Sequence, residues 1–226
     1  PATALHSIEN LEALAEVYLK ALQERDPVGP YLLVAYSFGT TVAFEIAKRL
    51  GTKVSNVVLI DQPVLPDWTP EDTRRMYNSA IVDFAFKISN TTLRGLGQEE
   101  LTEAEKSQIT TKTSGFDILP LEPFSDALIA RGLDSEVLQH MLDRIDTYQH
   151  LGRLFNGFKW PANVASPIFH APVSIIRSQD NASEPHGLGW ESYGRIASDV
   201  LIPSDHYDIL RQPHLSAVSS ALAHIN

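Results

Sequence analysis

The chain opens with apolar residues that recur every three or four positions. From Ser7 to Gln23 this spacing predicts a helix with one apolar face, and Ser7 is of a residue type that caps helix N-termini. The segment Asp26–Pro30 contains two prolines and one glycine and ends the helix, because proline lacks an N–H and glycine favours turns.

The next three segments have the patterns of a strand, a helix and a strand. Tyr31–Tyr36 and Val54–Ile60 are short apolar runs without alternation, as in buried strands. Between them, Thr40–Leu50 returns to the helical period, and Gly51 stands where a C-cap belongs. A right-handed crossover of this kind joins parallel strands, so we predict an α/β fold with a mostly parallel sheet covered on both faces.

The middle of the chain, from about Pro63 to Phe169, is charged and mainly helical in its periodicity, without a convincing strand pattern. We predict that it is a helical lid inserted into the sheet domain. Its helix candidates are Ala80–Ile88, Thr102–Thr111, Ser125–Ala130 and Ser135–Leu154, with breaks at Gly95, Gly97, Gly115, Pro120 and Pro123. We interpret its aromatic residues as the core of the lid and some of them as the lining of a substrate channel: Phe84, Phe86, Phe116, Phe124, Phe155, Phe158 and Trp160.

Sheet-like sequence resumes after the lid. Ala171–Arg177 and Asp199–Pro203 have the pattern of strands, and a closing helix is predicted from about Pro213 to Ala223. The predicted organisation is therefore an α/β core made of residues 1–62 and 170–226, with the lid at residues 63–169.

A nucleophile-elbow pattern stands at the first junction between a strand and a helix. In Ala35-Tyr36-Ser37-Phe38-Gly39 the serine has a small residue two positions away on each side, as a sharp strand–turn–helix bend requires. Such a bend exposes the serine Oγ, and the N–H of Phe38 at the start of the helix can stabilise an oxyanion. The pentapeptide alone fits a serine in a helix-capping turn equally well, but its place between a buried strand and a helix favours a nucleophile.

A serine nucleophile needs a base and a carboxylate that orients the base. His206 follows the last predicted strand, and Asp61 follows the second, at the same carboxyl edge of the sheet as Ser37. The order serine, acid, histidine is that of α/β-hydrolases. Asp180, after the third predicted strand, is the alternative acid, and Asp61 would then be a turn residue. The other histidines are interpreted as packing or surface residues: His6, His140, His150, His170, His186, His214 and His224.

Composition excludes several classes of function. The 226 residues, 43 % apolar and 20 % charged, fit one globular domain, and the formal charge of -10 disfavours nucleic acids and anionic membranes as partners. Cysteine is absent, which excludes disulfides, thiolate metal sites and a cysteine nucleophile. No metal-binding histidine spacing or phosphate-binding glycine loop occurs, and no apolar run approaches the roughly 20 residues that span a bilayer. We therefore expect a cytoplasmic protein without a bound metal.

Several segments form a specific combination, although none is specific alone. They are Gly29–Tyr31, Ala35–Leu50, Val57–Pro63, Leu188–Trp190 and Pro203–Leu215. Together they resemble the type I thioesterase domains that end modular polyketide and nonribosomal peptide synthetases, and more distantly the thioesterase of animal fatty acid synthase. The likeness is weak between about Trp68 and Pro167, the region of the variable lid in that family.

The resemblance implies both a mechanism and a partner. It makes Ser37 the acyl acceptor, Asp61 the acid and His206 the base of a catalytic triad. The substrate would be an acyl or peptidyl chain held as a thioester on the phosphopantetheine arm of a carrier protein in secondary-metabolite biosynthesis, and no cofactor would be bound. Hydrolysis and macrocyclisation use the same residues, so the choice between them is expected to depend on the lid. The sequence leaves open whether the protein forms a homodimer.

The sequence departs from that family in two ways. Ala35 replaces the usual first glycine, which its small side chain permits. Domains of the family also begin with two or more further strands and a loop that supplies a second oxyanion donor. We therefore expect the start of the fold to be missing, the sheet to have an open edge and the oxyanion hole to be half built.

Two other functions compete with the thioesterase hypothesis. A free-standing esterase or lipase would use the same triad on small oxygen esters. A non-catalytic binding domain with a hydrolase fold is the second alternative, and the presence of all three triad residue types argues against it.

Overall fold

The computed structural model describes residues 6–64, 70–113, 116, 118–161, 166–223 and 225, with the main chain alone at residues 70 and 72–74. The chain divides into two units, one made of Pro1–Glu9 and Trp68–Phe158 and the other of Asn10–Asp67 and Lys159–Asn226. The predicted break at Gly115 and the side chain of His224 lie outside the described residues.

The strands and helices follow one another in this order along the chain. The strands are β1 (Tyr31–Tyr36), β2 (Val54–Ile60), β3 (Val173–Arg177) and β4 (Ile196–Leu201). The helices are α1 (Leu11–Arg25), α2 (Gly39–Leu50), α3 (Pro70–Gly95), α4 (Glu103–Thr113), α5 (Glu122–Ile129), α6 (Ser135–Asn156) and α7 (Leu215–Ala223).

All four strands belong to one parallel sheet in the order β1-β2-β3-β4. Helix α2 packs on β1 and β2, and α1 packs on α2. Val58, Ile60 and Ile176 on the strands form a cluster with Ile209 and with Val218 of α7. The α/β architecture with a parallel sheet is therefore confirmed.

An aromatic cluster fills the core of the sheet unit. Phe44 of α2, which has no exposed surface, lies 5.1 Å from Tyr193 and 6.2 Å from Trp190 between ring centroids. Trp160 joins this cluster at 5.3 Å from Phe44. The interpretation of Trp160 as part of the lid core is wrong, because its ring packs with the aromatic residues of the sheet unit.

The helical unit has a core of its own. Helices α3 and α6 pack together, with Ala85 and Ile145 both fully buried between them. Two aromatic pairs extend this core, Phe84 with Tyr148 at 4.3 Å and Tyr77 with Phe155 at 4.6 Å between ring centroids. Phe84 and Phe155 thus pack as predicted for the lid core. The same holds for Phe86, which lies 5.2 Å from Phe124, whereas Phe116 is 57 % exposed.

Several predicted boundaries are wrong for local reasons. The N-cap of α1 is Asn10, whose side chain accepts the N–H of Ala13, and not Ser7. Helix α3 is much longer than Ala80–Ile88, since its first turns are polar and carry little apolar period. Pro123 does not break a helix but lies in the first turn of α5, where a missing N–H leaves no bond unmade.

The last strand is also displaced from its predicted position. Strand β4 covers Ile196–Leu201, not Asp199–Pro203, because its exposed and half-buried residues hide the strand period that a buried strand would show. No helix among the described residues has the length and apolar character needed to cross a membrane.

Arg131 connects three parts of the helical unit. Its guanidinium donates to the Glu105 carboxylate of α4 at 2.6 and 3.1 Å and to the carbonyl oxygens of Glu99 and Glu100. Hydrogen bonds from Arg131, together with those from Thr102, lower the pKa of Glu105 to about 2. Because the folded pKa lies below the unfolded one, this contact stabilises the fold above the ordinary pKa of about 4.3 and loses that effect as the pH falls towards 2.

We predict that Arg131→Met lowers the free energy of unfolding at pH 7 by about 1 kcal/mol, a value discounted for the partial exposure of both side chains. The difference from the parent should shrink below about pH 4. Urea unfolding at several pH values measures it, with Arg144→Met on the exposed surface of α6 as the matched control. Equal losses for both variants would contradict the assigned role.

Candidate active site

The register of the parallel sheet brings the ends of β1, β2 and β3 to one edge. Tyr36 pairs with Ile60, and Ile60 pairs with Ile176. The main-chain ladder continues beyond the strands, because Ser37 N–H donates to Ile60 O and Asp61 N–H donates to Ile176 O, both at 2.8 Å. Ser37 and Asp61 therefore leave neighbouring strands at the same edge of the sheet.

Both residues occupy a conformation that L-amino acids rarely adopt. Ser37 has φ 52° and Asp61 has φ 57°, in the left-handed region. The turn at Ser37 is fixed by Thr40, whose hydroxyl and N–H donate to Ser37 O at 2.8 and 2.9 Å. A Cβ on Gly39 would lie 4.0 Å from the Cβ of Ala35, which is an ordinary van der Waals contact. Strained backbone of this kind is concentrated at functional sites.

The three sequence-predicted side chains form one chain of contacts. Ser37 Oγ lies 2.9 Å from His206 Nε2, and His206 Nδ1 lies 2.7 Å from Asp61 Oδ2. An ionised carboxylate only accepts hydrogen bonds, so the imidazole proton is on Nδ1 and Nε2 accepts from the serine hydroxyl. This is the tautomer that can remove a proton from Ser37.

The Asp61 carboxylate is 1 % exposed and ionised. Burial raises the pKa of Asp61, but hydrogen bonds from His206, Ser178 and Asn181 lower it, and the net pKa lies below the ordinary aspartate value. Ser178 N–H and Asn181 Nδ2 both donate to Oδ1, at 2.6 and 2.8 Å. Oδ2 therefore faces the imidazole while Oδ1 is held by the turn after β3.

The position of His206 is fixed by contacts on its ring and its main chain. The Tyr36 ring stacks on the imidazole at 5.1 Å, and Tyr36 Oη donates to His206 O. Asp180 Oδ2 accepts His206 N–H at 2.8 Å, so this alternative acid contacts the main chain rather than the imidazole ring. Asp205 shapes the same loop by accepting Asp208 N–H at 2.8 Å.

Three contributors to the site were missed in the sequence: Tyr36, Ser178 and Asn181. Tyr36 could have been found as the aromatic residue beside the elbow serine. Ser178 and Asn181 follow β3, where only Asp180 was considered, although amide and main-chain donors there can reach a carboxylate that follows β2. Phe38 is the N-cap residue of α2, at the helix end that favours negative charge.

The segment after Asp61 is hydrogen-bonded to the predicted Leu188–Trp190 motif. Trp190 Nε1 donates to Gln62 O at 2.7 Å, and Val64 N–H donates to Leu188 O at 2.8 Å. A Cβ on Gly189 would meet Val64 O at 2.9 Å, and Gly189 has φ +83°, so glycine is required there. Within the described part of the chain, no group of three histidine or carboxylate side chains is arranged to hold a metal ion.

The fold is shared with solved thioesterase domains. The Vlm2 thioesterase domain superposes with a TM-score of 0.57 at 20 % identity, over 96 % of this chain and 76 % of that domain. A four-domain nonribosomal peptide synthetase gives a TM-score of 0.60 at 19 % identity, over 94 % of this chain and 16 % of that protein. The fold is therefore the α/β-hydrolase fold of thioesterase domains, as the sequence predicted.

Sequence relatives lead to the same group of proteins. The thioesterase domain family model matches residues 2–83. Indigoidine synthase of Streptomyces lavendulae is 27 % identical over 90 % of this chain and 15 % of that protein. The protein named inactive atromentin synthetase invA4 of Paxillus involutus is 24 % identical over 91 % of this chain and 21 % of that protein. These matches confirm the predicted resemblance to thioesterase domains of nonribosomal peptide synthetases; the chain spans about a fifth of the length of such relatives.

We predict that Asp61→Asn lowers the free energy of unfolding at pH 7 by on the order of 1–3 kcal/mol, because neutral hydrogen bonds replace charge-assisted ones. Since the folded pKa of Asp61 is depressed, its contribution is complete above the unfolded pKa of about 3.9 and is lost as the pH falls through the folded pKa. The difference in the free energy of unfolding between variant and parent should therefore close below about pH 4. Chemical denaturation across this range measures it, with exposed Asp143→Asn as control; a gap that does not depend on pH would contradict the ionised state of Asp61.

Proposed function

We propose that the chain is a serine thioesterase that releases an acyl or peptidyl chain from the phosphopantetheine thioester of a carrier protein. The observation that carries the proposal is the contact chain from Ser37 Oγ through His206 to the buried Asp61 carboxylate. The thioesterase family match of residues 2–83 supports the same chemistry. The carrier-bound substrate is supported by relatives named as synthetases, one of which is called a nonribosomal peptide synthetase, atqA of Aspergillus terreus, 56 % identical over 48 residues.

In the first half-reaction Ser37 takes the acyl group. His206 Nε2 removes the hydroxyl proton while Ser37 Oγ forms a bond to the thioester carbonyl carbon. The carbonyl oxygen becomes an oxyanion, for which we assign the N–H of Phe38 at the start of α2 as a donor. The C–S bond then breaks, and the leaving sulfur takes the proton from the imidazolium. The products are a free phosphopantetheine thiol and an acyl ester on Ser37.

In the second half-reaction the ester is released. A water molecule, or a hydroxyl or amine of the acyl chain itself, loses its proton to His206 Nε2 and attacks the ester carbon. The bond from that carbon to Ser37 Oγ breaks, and the proton returns to the serine. Water gives a free acid and an internal nucleophile gives a ring, so the same residues serve hydrolysis and macrocyclisation. In both halves Asp61 stabilises the imidazolium and fixes its tautomer.

We assign the selection of the acyl chain to the helical unit that contains α3, α4, α5 and α6. This unit has its own core and is the region in which the sequence resembles the family least. We propose that this unit acts as the lid predicted from the sequence.

The direct test is incubation of the protein with an acyl-pantetheine thioester while intact protein mass and released product are followed. We predict a transient mass increase equal to the acyl group minus one hydrogen, because the acyl group replaces the hydroxyl proton of Ser37. Ser37→Ala should form no adduct and release product at least about a thousandfold more slowly. Ser219→Ala, the same change on an exposed surface of α7, is the matched control and should behave as the parent.

The product and a second substrate separate the competing functions. Free acid identifies hydrolysis, and a ring identifies macrocyclisation. A matched oxygen ester that reacts with a higher kcat/KM than the thioester would favour a free-standing esterase and contradict the proposal. A folded parent that forms no adduct would support a non-catalytic domain.

A further inference from the structure

The turn after β3 contacts both partners of the Asp61–His206 pair. This turn, Gln179–Asn181, is a single turn of 3-10 helix. Through its side chain, Asn181 donates to Asp61 Oδ1 at 2.8 Å, and Asp180 accepts the main-chain N–H of His206 at 2.8 Å. Two consecutive residues of this turn therefore contact the acid and the main chain of the base.

The turn is itself held from both ends. Arg177 Nη1 donates to Glu184 O at 2.9 Å, and Arg177 Nε lies 3.0 Å from Oδ1 of Asp199, whose side chain has no exposed surface. At the start of the turn, Gln179 N–H donates to Ser204 O at 2.8 Å, just before the loop that carries His206. These contacts use main-chain atoms or residues outside the turn, so they remain when the side chain of Asn181 is changed.

The Asn181 amide has a specific geometric consequence for Asp61. A carboxylate can present either oxygen to a partner, and two donors on Oδ1 leave Oδ2 as the oxygen that meets the imidazole. Ser178 supplies one of these donors from its main chain, which a side-chain substitution does not remove. Asn181 supplies the other from its side chain, which a substitution does remove.

We propose that Asn181 is a positioning residue for the acyl-transfer reaction, which acts by holding Asp61 so that its Oδ2 faces His206 Nδ1. This inference rests on the function proposed above, because it assigns a role within the same site. Asn181 touches no reacting atom and acts through Asp61 alone.

The first test is Asn181→Ala. Removal of one charge-assisted hydrogen bond should lower kcat with an acyl-pantetheine thioester by about tenfold or more, whereas KM changes by less than about twofold. Gln179→Ala is the matched control, since it removes an exposed amide from the same turn. A kcat equal to that of the parent would overturn the proposal, and so would a loss confined to KM or to thermal stability.

The second test is the pH profile of Asn181→Asp. Two carboxyl groups at this distance do not both ionise readily, so they share one proton, and the protonated group donates to Asp61 Oδ1 as the amide does. The ratio of kcat/KM between variant and parent should be near one at acidic pH and fall as rising pH removes the shared proton. For Asn181→Ala the ratio should stay low at every pH. If Asn181 has only a structural role, the kcat/KM ratio of variant to parent should be independent of pH for both variants. That result would overturn the proposal.

A fluorophosphonate that labels Ser37 separates this inference from the release reaction. Its labelling rate depends on the Ser37–His206–Asp61 contacts but not on a thioester or a carrier protein. In a parent that labels, Asn181→Ala should react about tenfold more slowly, and an equal rate would overturn the positioning role. If the parent protein is labelled at Ser37 but does not cleave the thioester, the proposed release reaction is contradicted. Slower labelling of Asn181→Ala would still support the role of Asn181.

Discussion

The main-chain hydrogen bonds that extend past the ends of the parallel strands are the constraint on which the site depends. Ser37 N–H binds Ile60 O, Asp61 N–H binds Ile176 O, and Gln179 N–H binds Ser204 O, each at 2.8 Å. Each bond fixes the first residue after a strand, or the turn close to it, against the neighbouring segment. The side chains of the site are therefore placed by the same ladder that holds the sheet together. A shift of one residue in the register of the strands would move Ser37 or Asp61 to the other face of the sheet.

The cost of this placement appears in the backbone. Ser37 and Asp61 both have positive φ, which is unfavourable for residues with a Cβ by on the order of 1 kcal/mol or more. Surrounding contacts offset that cost: Thr40 binds Ser37 O, Ser178 and Asn181 bind Asp61 Oδ1, and Tyr36 stacks on His206. The pKa of Asp61 lies below the ordinary aspartate value because hydrogen bonds from His206, Ser178 and Asn181 outweigh the burial that raises it. A carboxylate that stays ionised is what the imidazole needs to act as a base.

The parts of the fold that could be predicted from sequence are those with a single strong local signal. β1 and β2 were predicted at their observed bounds because both are apolar runs that end at turn residues. Only β2 is buried as predicted, whereas Leu32 and Val34 of β1 are 54 % and 50 % exposed. β4 was misplaced because only its last residues continue into an apolar run, and α3 was shortened because its first turns are polar. The elbow at Ser37 was predicted because its residue types are dictated by a tight turn.

The residues of the candidate site also differ in how far the sequence could predict them. Ser37, Asp61 and His206 follow strands, so a sequence pattern can propose them together. The choice between Asp61 and Asp180 could not be made locally, because both follow strands of one sheet; the structure places Asp61 at the imidazole ring and Asp180 at the His206 main chain. The positions of Tyr36 beside the elbow serine and of Asn181 after β3 are visible in the sequence, but their contacts with His206 and Asp61, far away in the chain, are visible only in the structure.

The central claim is that Ser37 and His206 act as one unit in acyl transfer, and a double-mutant cycle on kcat tests it most directly. If the two residues share a single step, Ser37→Ala, His206→Ala and the double variant should lose nearly the same activity, within about threefold, because removal of either one already abolishes that step. If the losses of the two single variants multiply in the double variant, the residues contribute independently, and the account of the site given above is contradicted.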